Sequence, residues 1–131
     1  MNNRPVVADL VDRDEVVEAL LKDRLRAGDP IDIRAWGYSM WPRLAAGTVV
    51  RVEPCAGSQV RAGDVVLFER CGRLILHRAL RVSRSRLLLK GDACADPDGW
   101  VLHDRVLGRL AHRSGDQALA RLSPRLGPAF G

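Results

Sequence analysis

The 131-residue sequence contains no apolar run near the ~18 residues that a membrane-spanning helix requires. Nor does it open on a secretory leader. Its first 26 residues carry Arg4, Asp9, Asp12, Arg13, Asp14, Glu15 and Glu18 where an apolar core would stand. A cytoplasmic protein is the expectation, with peripheral association at a membrane left open and no transmembrane anchor or signal peptide in this chain. Cysteine is scarce: Cys55, Cys71 and Cys94 are odd in number and form no C-x-x-C pair. That excludes a disulfide framework and a zinc ribbon, and leaves three reduced thiols. Lysine is nearly missing, since 19 of the 21 basic residues are arginine and only Lys22 and Lys90 are not. Net charge is +5, yet no run of five or six like charges occurs. A basic nucleic-acid-binding arm is therefore not expected. What remains is 47% hydrophobic and 28% charged, the balance of one globular domain with a single core.

From Asp12 to Ala27 the apolar residues Val16, Val17, Ala19, Leu20, Leu21 and Leu25 recur at helical spacing. Asp12 is placed to cap this helix with Glu15 three positions on, and Gly28-Asp29-Pro30 stops it. The period then changes to two. Ile31, Ile33 and Ala35 alternate with Asp32, Arg34 and Trp36, which predicts a strand. Two similarly worded units, Ala46-Gly47-Thr48-Val49-Val50 and Ala62-Gly63-Asp64-Val65-Val66, read as turns that each enter a strand. Cys71-Gly72 separates a strand over 64–69 from one over 73–82, the spacing of a tight hairpin. Further strands are expected at Leu87-Leu88-Leu89 and at 106–110. The chain thus divides into an N-terminal helical segment (1–30), a mostly β domain (31–111) and a loose tail (112–131).

Three segments carry polar side chains suited to chemistry. Gly37-Tyr38-Ser39-Met40-Trp41-Pro42 sets a serine in a turn; His77, in Leu76-His77-Arg78, shares a strand face with Ile75 and Ala79. Lys90-Gly91-Asp92-Ala93-Cys94-Ala95-Asp96-Pro97-Asp98-Gly99 places three acids within seven residues. The last is not a calcium loop of the EF-hand type. With Gly99 in the sixth place, Cys94 and Arg105 fall where carboxylates belong. No metal or cofactor is expected.

In this order and spacing the segments resemble the type I signal peptidase superfamily, which includes the self-cleaving, LexA-like repressors. The ordered set is Ser-Met-x-Pro, two Gly-x-Val-Val turns, His-Arg, Lys-Gly-Asp with an acid six residues on, and Val-Leu-Gly-Arg. It runs from about Ile31 to Leu110 and is closest to the Ser-His variant of archaea and the endoplasmic reticulum. The resemblance implies a coiled antiparallel β fold with one N-terminal helix. It implies a serine endopeptidase that acts on an extended peptide or protein. Ser39 matches the nucleophile, His77 the general base, Asp98 the acid that orients it, and Asp92 the aspartate of Lys-Gly-Asp. Imidazole suits the role because it exchanges protons near neutral pH, and a carboxylate on its other nitrogen fixes the tautomer. For Asp92 the plainer alternative is a turn residue that bonds its own backbone. Asp96 fits no family position.

Two departures stand out. Where many members carry a serine two places before the nucleophile, this chain has Gly37, so the oxyanion would rest on backbone N–H groups. The membrane anchor of the signal peptidases has no counterpart here. Trp36, Tyr38 and Trp41 read equally as core packing, as walls of a peptide cleft, or as a rim touching a membrane. A non-catalytic peptide-binding module or a regulatory protein on the same fold is the alternative. The N-terminal 30 residues hold one helix, too little for a helix-turn-helix. The expected partner is a peptide or protein substrate, with a membrane-associated partner left open.

Overall fold

The computed structural model describes residues 7–9, 15–34, 40 and 47–111. Among them are one α-helix and eight strands, so the protein is mostly β with a single N-terminal helix, as the residue periods predict. The helix α1 covers Glu15–Arg26. The strands are β1 (Val7–Asp9), β2 (Ile31–Arg34), β3 (Val49–Pro54), β4 (Val65–Arg70), β5 (Arg73–Val82), β6 (Arg86–Lys90), β7 (Gly99–Leu102) and β8 (Val106–Leu110). They form one sheet in the order β1-β2-β3-β8-β4-β5-β6-β7. From β2 to β7 every pairing is antiparallel, and the sheet curls into a half-barrel. At one edge β1 runs parallel to β2.

Helix α1 turns Leu21 and Leu25, one helical turn apart, onto the sheet. Acidic Glu15 and Glu18 lie in its first turn and Arg24 and Arg26 in its last, the arrangement the helix dipole favours. It ends in a Schellman motif. The Gly28 N–H donates to Leu25 O and the Asp29 N–H to Arg24 O, with Gly28 at φ 94°, where a side chain would be strained. The proposed cap Asp12 lies outside the described residues. Lys22 ties the helix to β4 by donating to Glu69 Oε2 at 2.7 Å, and this hydrogen bond holds the Glu69 carboxyl below its ordinary range.

Side chains of the central strands alternate between two cores. Val65 and Leu67 of β4, with Leu74 and Leu76 of β5, join Leu21, Leu25, Ile33 and Val52 on one face. Val66 and Phe68 join Ala79, Leu87, Leu89 and Val101 on the other. Val65 to Phe68 are all buried, so β4 has both faces covered, and each such side chain contributes about 1.5–3 kcal/mol. The hairpin between β4 and β5 turns on Cys71 and Gly72, both at positive φ (51° and 77°), as a two-residue primed turn requires. That turn fixes the register in which Val66 faces His77.

Two strands were not foreseen. The residues of β1 lie within the segment expected to be helical, and three residues are too few to display a period. In β7, Gly99-Trp100-Val101-Leu102 follows a Pro- and Asp-rich loop, and its single buried residue, Val101, gives no alternation to detect. The tail over 112–131 lies outside the described residues. No helix among the described residues is long and apolar enough to cross a membrane.

Candidate functional site

Strand β5 delivers two polar residues side by side. Because successive side chains alternate, His77 faces the second core with Ile75 and Ala79, whereas Arg78 faces the other way with Leu74 and Leu76. Both are buried, at 7% and 8% exposure. Burial of polar groups requires partners. Each finds an aspartate from the one loop that links β6 to β7.

The His77 imidazole lies with its ring centre 6.1 Å from that of Phe68, tilted by 56°. Its Nδ1 is 2.5 Å from Asp98 Oδ2. A carboxylate in this position accepts, so Nδ1 carries the proton and Nε2 is the ring's free acceptor in the neutral form. Among the described residues Nε2 has no hydrogen-bond partner. Asp98 is itself held by its backbone N–H, which donates to Leu89 O at 2.7 Å, and its neighbour Gly99 pairs with Leu89 in the ladder. The Arg70 guanidinium stands 4.0 Å from Asp98 Oδ1.

Asp92 goes to the opposite face. Arg78 donates from Nε to Asp92 Oδ1 and from Nη2 to Oδ2, both at 2.8 Å, and from Nη1 to Gly63 O at 2.7 Å. This is a bidentate ion pair with each side chain 9% exposed. The Asp92 N–H donates to Met40 Sδ at 3.4 Å, and Met40 is buried in the first core. The plainer expectation for Asp92, a carboxylate bonded to its own backbone, gives way to this pair. Arg78 was the missing member. The available signal was its place immediately after His77, which puts it on the other face of the same strand.

Of the expected site residues, His77 and Asp98 are therefore in contact, and Asp92 is joined to Arg78. Ser39 lies outside the described residues, as do Gly37, Trp36, Tyr38 and Trp41. Asp96 is exposed. His103, after β7, bonds through its backbone N–H to Ser85 O, and its buried Nε2 has no hydrogen-bond partner among the described residues. His77 is thus the described histidine that has a carboxylate partner. Cys55 is half-buried with its thiol pushed up by desolvation, the environment of an unreactive thiol. No group of three or more His, Cys, Asp or Glu among the described residues converges as metal ligands do. Compared with protein-family models and with curated proteins, the chain matches none.

Proposed function

We propose that the protein is a serine endopeptidase of the signal-peptidase-like type, with Ser39 as nucleophile, His77 as general base and Asp98 as the residue that orients His77. The observation that carries this reading is the His77–Asp98 pair. A half-buried carboxylate on Nδ1 selects the tautomer whose Nε2 can take a proton, and it stabilises the imidazolium that follows. Support for Ser39 is its Ser-Met-x-Pro segment, Ser39-Met40-Trp41-Pro42, which matches the nucleophile turn in the resemblance.

In the proposed reaction Ser39 Oγ attacks the scissile carbonyl carbon while its proton passes to His77 Nε2. The tetrahedral adduct collapses as that proton goes to the leaving amine, and the acyl group stays on Ser39. A water, deprotonated by the same nitrogen, attacks the ester and releases the acid with Ser39 regenerated. Asp92 has no part in proton transfer. Its work is to fix, through Arg78, the loop that carries Asp98.

The test is to incubate the full chain with peptide libraries and to map cut sites by mass spectrometry. Ser39→Ala and His77→Ala are run alongside. Cleavage by the parent chain with none by either variant supports the reading. Undiminished cleavage by pure Ser39→Ala sinks it.

A further inference from the structure

From Arg70 to Gly91 the chain carries Arg70, Arg73, Arg78, Arg81, Arg84, Arg86 and Lys90 without one acidic residue. The rest of the chain holds 14 basic against 16 acidic residues, so the excess positive charge belongs to this segment. Spread along the sequence, these cations do not form a run. Folding gathers part of them on the β5–β6 hairpin, where Arg81, Arg86 and Lys90 come to one face, whereas Arg73 falls on the face of Ile75 and Arg70 stands by Asp98. Arg78 is buried on Asp92, whereas Arg70, Arg73, Arg81, Arg84 and Arg86 are exposed and Lys90 is partly so.

The ladder shows what lies among them. Arg81, Leu88 and Trp100 stand opposite one another in one cross-strand row, and Arg86 pairs with Leu102. Leu87, Leu89 and Val101 point into the second core, so by alternation Arg81, Arg86, Leu88, Lys90, Trp100 and Leu102 share the opposite face. That face is open: Trp100 is 44% and Leu102 51% exposed. Leu80, unpaired at the bulge between Ala79 and Arg81, is 42% exposed beside them. Of the seven large hydrophobic residues exposed among the described ones, Trp100 and Leu102 lie on this face, whereas Val82 pairs with Leu87 on the other. The Arg86 guanidinium sits 5.1 Å from the Trp100 ring centre, which holds the indole flat against a cation at the surface.

Arginine stems over exposed aliphatic side chains and a tryptophan are the composition of a membrane interface. Cations meet lipid phosphates while indole and leucine enter the headgroup boundary. A nucleic acid would use the charge and the indole but has no use for Leu80 and Leu102. We infer that this face of β5, β6 and β7 docks on an anionic lipid bilayer. The inference does not rest on the peptidase reading. The face lies across the sheet from the one that carries His77, so docking leaves His77 uncovered by lipid.

The test is sedimentation of the full chain with vesicles of phosphatidylcholine alone, or of equal parts phosphatidylcholine and phosphatidylglycerol. Binding is expected to the mixed vesicles only, and to weaken with salt. An anionic surface attracts each nearby arginine by roughly a fivefold gain in affinity. Arg81→Glu with Arg86→Glu should therefore weaken binding more than tenfold, and Arg24→Glu on α1 should leave it unchanged. Trp100→Ser with Leu102→Ser keeps the charge and should weaken binding about tenfold. Leu102→Ser alone, at a half-exposed position, gives a smaller loss in the same direction and serves if the double variant folds poorly. No binding to mixed vesicles overturns the inference. So does a folded Trp100/Leu102 variant that binds as well as the parent, since the surface would then be attracting charge alone. Capture by a DNA duplex at the same protein concentration, lost with Arg81 and Arg86 but not with Trp100 and Leu102, makes nucleic acid the partner instead.

Discussion

His77 and Arg78 are adjacent on one strand, equally buried, and each is paired with an aspartate from the same loop. The two pairs nevertheless differ in kind. Asp92 accepts on both oxygens from Arg78, whose third nitrogen donates to Gly63 O, and the group has the form of a structural clamp. Asp98 gives one oxygen to one ring nitrogen and leaves the other nitrogen of His77 without a partner among the described residues. The first arrangement is suited to holding a loop. The second is suited to moving a proton. Alternation along β5 lets one loop serve both, because neighbouring side chains leave a strand on opposite sides.

The largest expected effect is on the open pair. In the peptidase reading Asp98→Asn keeps the size of the side chain but no longer favours the productive tautomer. Its kcat should fall by about 10,000-fold, as in other triads, with the melting temperature nearly unchanged. Steady-state cleavage and thermal melts measure the two separately. The clamp should respond the other way. Asp92→Asn takes the opposite charge away from a buried guanidinium, and denaturant unfolding should show a loss of about 3–5 kcal/mol. A sharper version replaces both members, Arg78→Leu with Asp92→Leu. If the clamp serves only to hold structure, the double variant should recover most of that stability, because paired apolar side chains avoid the desolvation of two charges.

A smaller effect is expected at Lys22–Glu69, where the partners are 20% and 16% exposed. Glu69→Gln should cost about 1 kcal/mol or less at neutral pH. The hydrogen bond lowers the folded-state pKa of Glu69. Its contribution is therefore present above the ordinary carboxylate value of about 4.3 and is lost as pH falls through the lower folded value. Melting temperatures of the parent and Glu69→Gln, compared at neutral pH and then in acid, should converge as the acid protonates Glu69. A difference that grows in acid would contradict that cause.

Much of this geometry was legible before the fold was known. Cys71-Gly72 between two β-type runs specifies a hairpin, and the period of two on β5 puts His77 with Ile75 and Ala79. The resemblance implies that the acid six residues after the aspartate of Lys-Gly-Asp orients the base, and Asp98, which stands there, meets His77. Long-range pairing was less accessible. Nothing local to Asp92 announces Arg78, 14 positions away, because strand pairing brings them together. The gathered arginines of the β5–β6 hairpin were hidden for the same reason, since residues two apart in a strand become neighbours only on a sheet face. Strand β7 buries only Val101 of its four residues, so no alternation marks it.

The division of labour between the two aspartates has a direct measurement that needs no natural substrate. A fluorophosphonate probe phosphonylates a serine whose proton is taken by a poised base, with fluoride leaving, and mass spectrometry locates the adduct. The labelling rate at Ser39 is compared in the parent, Asp98→Asn and Asp92→Asn, at a temperature where melts show each variant folded. The account predicts labelling of the parent, slower but persisting labelling of folded Asp92→Asn as the loop that carries Asp98 loosens, and near-complete loss in Asp98→Asn at an unchanged melting temperature. Normal labelling of Asp98→Asn beside a fully stable but unlabelled Asp92→Asn would contradict it, and would assign the orienting role to Asp92.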